Sequence, residues 1–376
     1  MSKKRGNGEG SITKRKDGRW MARYTVHTAE GPKRRHLYGR TRQEVATKLA
    51  QATSDQDGIL AFDAGNLTLG EYLDRWLKDS VKDTVRISTY ERHEAIIRIH
   101  LKPAFGKLKL KAVTPAHIQG LYRDRLDGGL SPATVQKIHA VLHKALEQAM
   151  RWRLVPNNVA DAARAPRPAP KRISPLSSGE TRNLLEAARG NRLEALYVLA
   201  VHTGMRQGEL LALNWEDVDL NEGVVRVSRT LTRDGGRLAI GEPKTKRSRR
   251  TIHLAQIAMR KLKGHLERQQ EEMERLGGLY RDQGLVFTTQ VGTLINPTNL
   301  RKRSLRSLLE LAGLRRVRFH DLRHTCATLL LSKNVHPKYV QELLGHSSVS
   351  ITLDTYSHFV PSMGKHTAQT MEDMLS

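Results

Sequence analysis

Residues 164–175, RAPRPAPKRISP, carry four prolines in twelve positions. Each proline fixes φ and removes a backbone donor, so this stretch can be neither a helix interior nor a central strand. It reads as an extended linker, and the chain must fold as separate bodies on either side of it. With 376 residues there is length for two or three domains and a large core. A second break is expected at TSDQDGILAFDAGN, residues 53–66, a polar stretch with the character of a flexible joint. The expected division is 1–62, 66–163, the linker 164–175, and 176–376.

The first body reads as a small sheet. KDGR and AEGPK look like turns between short strands, with period-two alternation around Trp20, Ala22, Tyr24 and Val26. After Arg40, TRQEVATKLAQA takes a helical pattern, giving three strands and one helix. Residues 1–40 hold 12 Lys or Arg against three acids. Lys14, Arg15, Arg19, Arg23, Arg34 and Arg35 are the candidate DNA contacts, since a β-ribbon can enter a groove.

Residues 66–163 are helical by pattern. Thr68 caps a stripe of Leu69, Tyr72, Leu73, Trp76 and Leu77. Ser131 caps a second helix, with Pro132 in the first turn and Ile138, Val141, Leu142, Ala145 and Leu146 behind it. STYERHEAIIRIHL and TPAHIQGLYRDRL lie between them, so four helices form a small bundle. From Ile173 the pattern runs from helices at about 178–203, through strands at about 223–254, to helices again. The whole is a multidomain α+β chain, mainly helical: a small three-stranded sheet plus helix, a helical bundle, and a mixed α/β domain.

Charge narrows the partner. Lys plus Arg is 64 against 38 Asp plus Glu, a net charge of +26 and a pI of about 10.4. Spread over patterned segments, that excess favours nucleic acid. No stretch approaches the roughly 20 apolar residues of a spanning helix, and the charged start lacks an apolar signal segment. The single cysteine, Cys326, rules out an internal disulfide and a Cys-rich zinc site. The expectation is a soluble, intracellular protein.

Four stretches of the last domain place ionisable residues on apolar elements. TGMRQGELLALNWEDV sets Arg206 after Gly204, at the start of a helix carrying Leu210, Leu211 and Leu213. GEPKTKRSRRTIHL looks like a hairpin edge with Lys244 and Lys246 near its turn. FHDLRHTCATLLLS, a helix expected to bury Leu322, Cys326, Leu329 and Leu330, begins with His320 and Arg323, roughly 60° apart on its surface. LLGHSSVSITLDTYSH supplies His346 and Tyr356.

Taken singly, each has a plainer explanation: Arg206 could pair with Glu209, and Tyr356 could be a core aromatic. His320 and His324 share the spacing of two zinc ligands, but no glutamate stands in the general-base position and no third ligand suggests itself. Together, two arginines, a lysine and two histidines can neutralise a pentacoordinate phosphate and move protons around it. A tyrosine hydroxyl can act as nucleophile and conserve the broken phosphodiester in a covalent link. No phosphate-binding Gly-rich loop and no acidic Mg²⁺ cluster is present, so neither metal nor nucleotide cofactor is expected. The dipole at the helix start would also favour an anion beside His320 and Arg323.

TGMRQGELLALNWEDVDL, PKTKRSRRTIHL, HDLRHTCATLLL and LGHSSVSITLDTYSH resemble the ordered boxes of the tyrosine recombinases, specifically phage-type integrases. The resemblance implies an arm-binding domain at 1–62, a core-binding domain at 66–163 and a catalytic domain at 176–376. It implies the catalytic set Arg206, Lys244 (or Lys246, on the same turn), His320, Arg323, His346 and the nucleophile Tyr356. Tyr356 would form a 3′-phosphotyrosyl link and release a 5′-hydroxyl, integrating and excising a phage or other mobile element. Implied partners are double-stranded DNA attachment sites, three further copies of the chain in a homotetramer, an excisionase and a host DNA-bending protein. The implied location is the cytoplasm of a bacterial host, at the nucleoid. The tail SMGKHTAQTMEDMLS would be a helix donated to a neighbour. The rival chemistries are a type IB topoisomerase, and a DNA-binding architectural protein or repressor that cuts nothing.

Overall fold

The computed structural model describes residues 11–15, 17–28, 31–54, 66–169, 173–243, 249–356 and 371–375. The chain divides into two compact units, residues 1–170 and 171–376. The junction falls within the proline-rich stretch.

The first unit opens with an antiparallel sheet in the order β1 (Ser11–Lys14), β2 (Trp20–Thr28), β3 (Gly31–Gly39), followed by α1 (Arg42–Ser54). Ile12, Ala22 and Leu37 pair across the strands on one face, and Ala22 is fully buried, as is Val45 of α1. The bundle follows. In α2 (Leu69–Trp76), Thr68 Oγ1 accepts from the Glu71 N–H and the Glu71 carboxylate accepts from the Thr68 N–H, a reciprocal cap. The helix runs on through a wider turn at Leu77–Val81, and the expected stripe from Leu69 to Leu77 is buried. Then come α3 (Ile87–Ile96), widened again at Ile97–Leu101 before α4 (Lys102–Phe105), and α5 (Pro115–Asp127). The longest of the bundle, α6 (Pro132–Arg151), has Ser131 as its cap and Pro132 in its first turn. It buries Val135, Ile138, Leu142, Ala145, Leu146 and Ala149 at helical spacing, the bundle's own core. Truncating one of these leucines to alanine would cost about 2–5 kcal/mol.

In the second unit the expected helical stretch is two helices, α7 (Ser178–Ala187) and α8 (Glu194–Thr203), parted at Gly190, whose φ is 72°. Every residue of α8 but His202 is buried, so it is hidden all round, with α10 (Gln256–Leu276) and α13 (Phe319–Ser332) against it. A single turn, α9 (Gln207–Leu210), leads to the strands β4 (Val218–Asp219), β5 (Val224–Val227), β6 (Thr230–Asp234), β7 (Arg237–Gly241) and β8 (Arg250–His253). These form one antiparallel sheet in the order β4-β5-β8 and a separate hairpin, β6-β7. The hairpin's turn is Gly235–Gly236, both at positive φ, as a two-residue turn between twisted strands requires. After α10 come α11 (Pro297–Asn299), the wide turn Leu300–Leu305, α12 (Arg306–Leu311), α13, α14 (Pro337–Leu344) and α15 (Val349–Tyr356). In α13, Leu322, Cys326 and Leu331 are buried, whereas Leu329 and Leu330 are half-buried. No helix among the described residues is long and apolar enough to cross a membrane.

Candidate active site

Three chain reversals in the second unit deliver side chains to one cleft. At the first, Gly204 ends α8 in the left-handed conformation, φ 60°. A Cβ there would lie 2.5 Å from Leu344 Cδ2 and 3.4 Å from Cys326 Sγ, so both φ and space require glycine. Two residues on, Arg206 caps α9. The helix expected to carry Leu210, Leu211 and Leu213 is only this turn; Leu211 and Leu213 are buried beyond its end.

Arg206 is indeed ion-paired with Glu209, and the pair belongs to the site. Its Nη1 donates to Glu209 Oε1 at 2.7 Å, its backbone N–H donates to Oε2 at 2.9 Å, and its Nη2 donates to the Gly345 carbonyl at 3.3 Å. Glu209 is 3% exposed and is shared. Arg250 of β8 donates from Nη2 to Glu209 Oε2 at 2.9 Å and from Nε to the Leu343 carbonyl at 2.6 Å. Burial alone would raise the Glu209 carboxyl, but Arg250 and then Arg206 outweigh it and hold the pKa below the usual range.

The second reversal starts α13. Asp321 accepts from the Arg318 backbone N–H at 2.7 Å and from its guanidinium Nη2 at 2.7 Å. This carboxylate takes the place at the helix start where the dipole favours an anion. Arg323, on the next turn, is 2% exposed. Its Nη1 donates to the Gly204 carbonyl at 2.8 Å, while Nη2 is buried with no partner among the described residues. Burial, followed by Arg206 and Arg250, pushes its pKa down to about 9, which leaves it charged at neutral pH.

The third reversal is Gly345, φ 67°, which closes α14 and presents His346. His346 Nδ1 hydrogen-bonds Thr352 Oγ1 at 2.9 Å, and its carbonyl accepts from Gln341 Nε2 at 2.6 Å. Tyr356 ends α15, 0% exposed, with its ring parallel to that of His346 at 6.5 Å. Its hydroxyl shares a 2.7 Å hydrogen bond with His324 Nδ1. Burial, partly offset by Arg323, pushes the phenol up to about 12. His320 keeps an exposed edge; its ring stands perpendicular to His324 at 4.8 Å. Lost solvation on its inner side, then His324, Arg323 and Arg206, push it down to about 4. The same order of causes, burial and then Arg323 and Arg206, pushes His346 down to about 3. Both imidazoles are therefore neutral at neutral pH and can donate N–H groups beside the two arginines.

A cavity of about 460 Å³ opens beside these groups, walled by Arg206, Glu209, Thr230, Thr232, Gly345 and His346. The structure thus gathers Arg206, His320, Arg323, His346 and Tyr356. Lys244 and Lys246 lie outside the described residues, though Pro243 before them lines the same cavity. The turn expected near them also falls outside the described residues; the hairpin that is described, β6-β7, turns at Gly235–Gly236. Three contributors went unassigned in the sequence. Glu209 had a signal, its place three residues after Arg206. His324 had one too, four residues after His320, though that spacing points to metal ligands before it points to a partner for Tyr356. Arg250 had none, because its partner lies 41 residues away.

The basic residues of the amino-terminal sheet separate by face. Arg23 pairs with His36, and Arg34 pairs with Thr25 on the same face. The register sets Lys14 and Arg35 on the opposite face, with Ala22. Arg19 is in the turn before β2, and Arg15 sits 5.4 Å over the Tyr38 ring. All six are exposed.

Residues 176–362 match the phage integrase family, and residues 68–126 match the phage integrase N-terminal SAM-like domain. A tyrosine recombinase XerC-like protein of Caldanaerobacter subterraneus subsp. tengcongensis is 31% identical, over 91% of this chain and 92% of its own. An integrase of Saccharopolyspora erythraea is 26% identical over 97% of this chain and 96% of its own. Among solved structures, the Tn1549 transposon integrase in complex with a circular intermediate DNA has a similar fold, with a TM-score of 0.69 at 20% identity, over 81% of this chain and 99% of that one. A lambda integrase tetramer bound to a Holliday junction gives a TM-score of 0.58 at 22% identity, over 96% and 97%.

Proposed function

The chain belongs to the phage integrase family of tyrosine recombinases, enzymes of site-specific DNA recombination, and from that premise we propose that Tyr356 is its strand-cleaving nucleophile. In this reading Arg206, Lys244, His320, Arg323 and His346 handle the scissile phosphate, with Lys246 as the alternative lysine. The observation that carries it is the Arg323 Nη2, a buried cationic donor without a partner among the described residues. Leaving such a group unpaired costs several kcal/mol, and a phosphodiester oxygen in the cleft would satisfy it.

The geometry supports the following chemistry. A phosphate against Arg323 and Arg206 meets two cations fixed in advance by Gly204, Gly345 and Glu209, so charge developing in the transition state needs no reorganisation. Neutral His320 and His346 add N–H donors without more positive charge. The phenol oxygen bonds to phosphorus, the P–O5′ bond breaks, and the 5′-oxygen takes a proton, for which the lysine is the candidate donor. The product is a 3′-phosphotyrosyl link. Attack by a 5′-hydroxyl from a partner duplex reverses the step, so bonds are exchanged without hydrolysis.

We assign residues 1–62 to a distal arm-type DNA site through the exposed basic residues, 66–163 and 176–376 to the exchange site, and 164–175 to the joint between them. The working form is a homotetramer on attachment-site DNA in the bacterial cytoplasm, integrating and excising a phage or other mobile element. An excisionase and a host bending protein would set direction, and the carboxyl-terminal tail would reach a neighbouring copy.

The test uses nicked duplexes tiled across the DNA flanking the gene. Wild-type protein should form a denaturant-resistant adduct on one of them and join two such duplexes. Relaxation of any supercoiled plasmid without joining would indicate a topoisomerase. Binding without an adduct would indicate a non-catalytic protein.

A further inference from the structure

We propose that His324 is a further catalytic residue of this site, its Nδ1 taking the Tyr356 proton as the phenol oxygen bonds to phosphorus. The inference rests on Tyr356 being the nucleophile.

The geometry singles out this histidine from the three around the tyrosine. Its Nδ1 lies 2.7 Å from the Tyr356 hydroxyl, with the rings 5.6 Å apart at 60°. His346 stacks parallel to the phenol at 6.5 Å and commits its own Nδ1 to Thr352. His320 stands behind His324, against that ring rather than the hydroxyl. The two histidines chosen from the sequence are therefore each one step removed from the reacting oxygen.

Charge around His324 suits an acceptor. Burial lowers its pKa; Asp321 opposes this, and Arg318 and Arg323 reinforce it. His320 faces it from the same helix, and Tyr356 from α15. At neutral pH it is an uncharged imidazole, free to present a lone pair at Nδ1 with its proton on Nε2. The phenol, held up at about 12, does not ionise beforehand. Transfer becomes favourable only as the oxygen acquires the character of an aryl phosphate ester. In that step the O–H bond breaks, its electron pair stays on oxygen, and the imidazole becomes an imidazolium. The P–O5′ bond breaks, and O5′ is protonated from the leaving-group side. On rejoining, the O–P bond to Tyr356 breaks and the phenolate recovers the proton from His324, so nothing is consumed.

The test is single-turnover cleavage by full-length wild type, His324→Gln and His324→Ala, from about pH 5 to about pH 10. The substrate is the nicked flanking duplex on which wild type forms its adduct, and thermal melting checks that each variant folds. Cleavage should fall by about 10²–10⁴ with binding retained, the usual share of one general base. The acid-side fall in the wild-type rate should vanish in the variants, leaving a rate that climbs with hydroxide. Added imidazole should restore part of the His324→Ala rate. A duplex with sulfur in place of the bridging O5′, whose thiolate leaves without a proton, should not rescue either variant. Wild-type rates and pH dependence in a folded variant would overturn the proposal, as would full rescue by the sulfur substrate, which would place His324 on the leaving-group side. If wild type itself forms no adduct at Tyr356, the reading of the site fails first, and this inference with it.

Discussion

Gly204→Ala should destabilise the second unit and disarm the cleft in one change. The residue sits at φ 60°, where an L side chain costs about 1–2 kcal/mol. Its new Cβ would lie 2.5 Å from Leu344 Cδ2 and 3.5 Å from Cys326 Cβ, both on buried side chains with little room to yield. Overpacking of this kind costs about 1–3 kcal/mol more. Gly190 gives the control: its φ is 72°, but nothing lies within 4 Å of the added carbon, so Gly190→Ala should show the conformational cost alone. Hydrogen exchange at the α8 and α13 amides measures the opening free energy of this unit within the full chain. The two variants should differ by the packing cost, and adding Leu344→Ala should erase most of that difference as a coupled pair. Because the Gly204 carbonyl receives Arg323 Nη1, cleavage should fall more than DNA affinity. If Gly204→Ala cost no more than Gly190→Ala, the contact with Leu344 would not be what fixes this turn.

Glu209→Gln should cost about 3–5 kcal/mol, since it removes the buried carboxylate that pairs with both Arg250 and Arg206. The Glu209 pKa is depressed in the folded state, so denaturant unfolding should show the full difference from wild type above the free carboxylate pKa of roughly 4.3, and a vanishing one as pH falls through the folded value. His320 and His346, held down to about 4 and about 3, bind protons more weakly folded than unfolded. Wild-type stability should therefore hold above roughly pH 6.5 and decline below it, and His346→Asn should flatten that decline in the same unfolding experiment. A protein beginning at Asn66 should bind attachment-site DNA with a shallower salt dependence and still cleave a short core duplex, yet fail to integrate between full-length sites. Unimpaired integration would show that the basic sheet reads no distal site.

How much was legible depended on the range of the interaction. Thr68 and Glu71 are three residues apart, and Ser131 stands next to Pro132, so both helix starts could be read directly. The sheet's alternation showed which strand positions face inward, but not that Lys14 and Arg35 share the face of Ala22, because that depends on cross-strand register. The β6-β7 hairpin has a local signal of its own, the two-residue turn Gly235–Gly236. In the site, the types and order of Arg206, His320, Arg323, His346 and Tyr356 pointed to phosphate chemistry. Their supports stayed hidden because each closes over a long loop: Arg323 reaches back 119 residues to Gly204, Arg206 reaches 139 forward to Gly345, and His324 reaches 32 to Tyr356. Local pattern carries no trace of such pairs.

The most direct test of the account is the chemical identity of the protein–DNA link. Full-length protein would be trapped on its nicked flanking duplex, digested with protease and nuclease, and the modified peptide sequenced by mass spectrometry. The account predicts a nucleotide 3′-phosphate on the oxygen of Tyr356, and no adduct from Tyr356→Phe despite undiminished binding. A link at any other residue, a 5′-phosphate in place of a 3′-phosphate, or an adduct surviving Tyr356→Phe would contradict it.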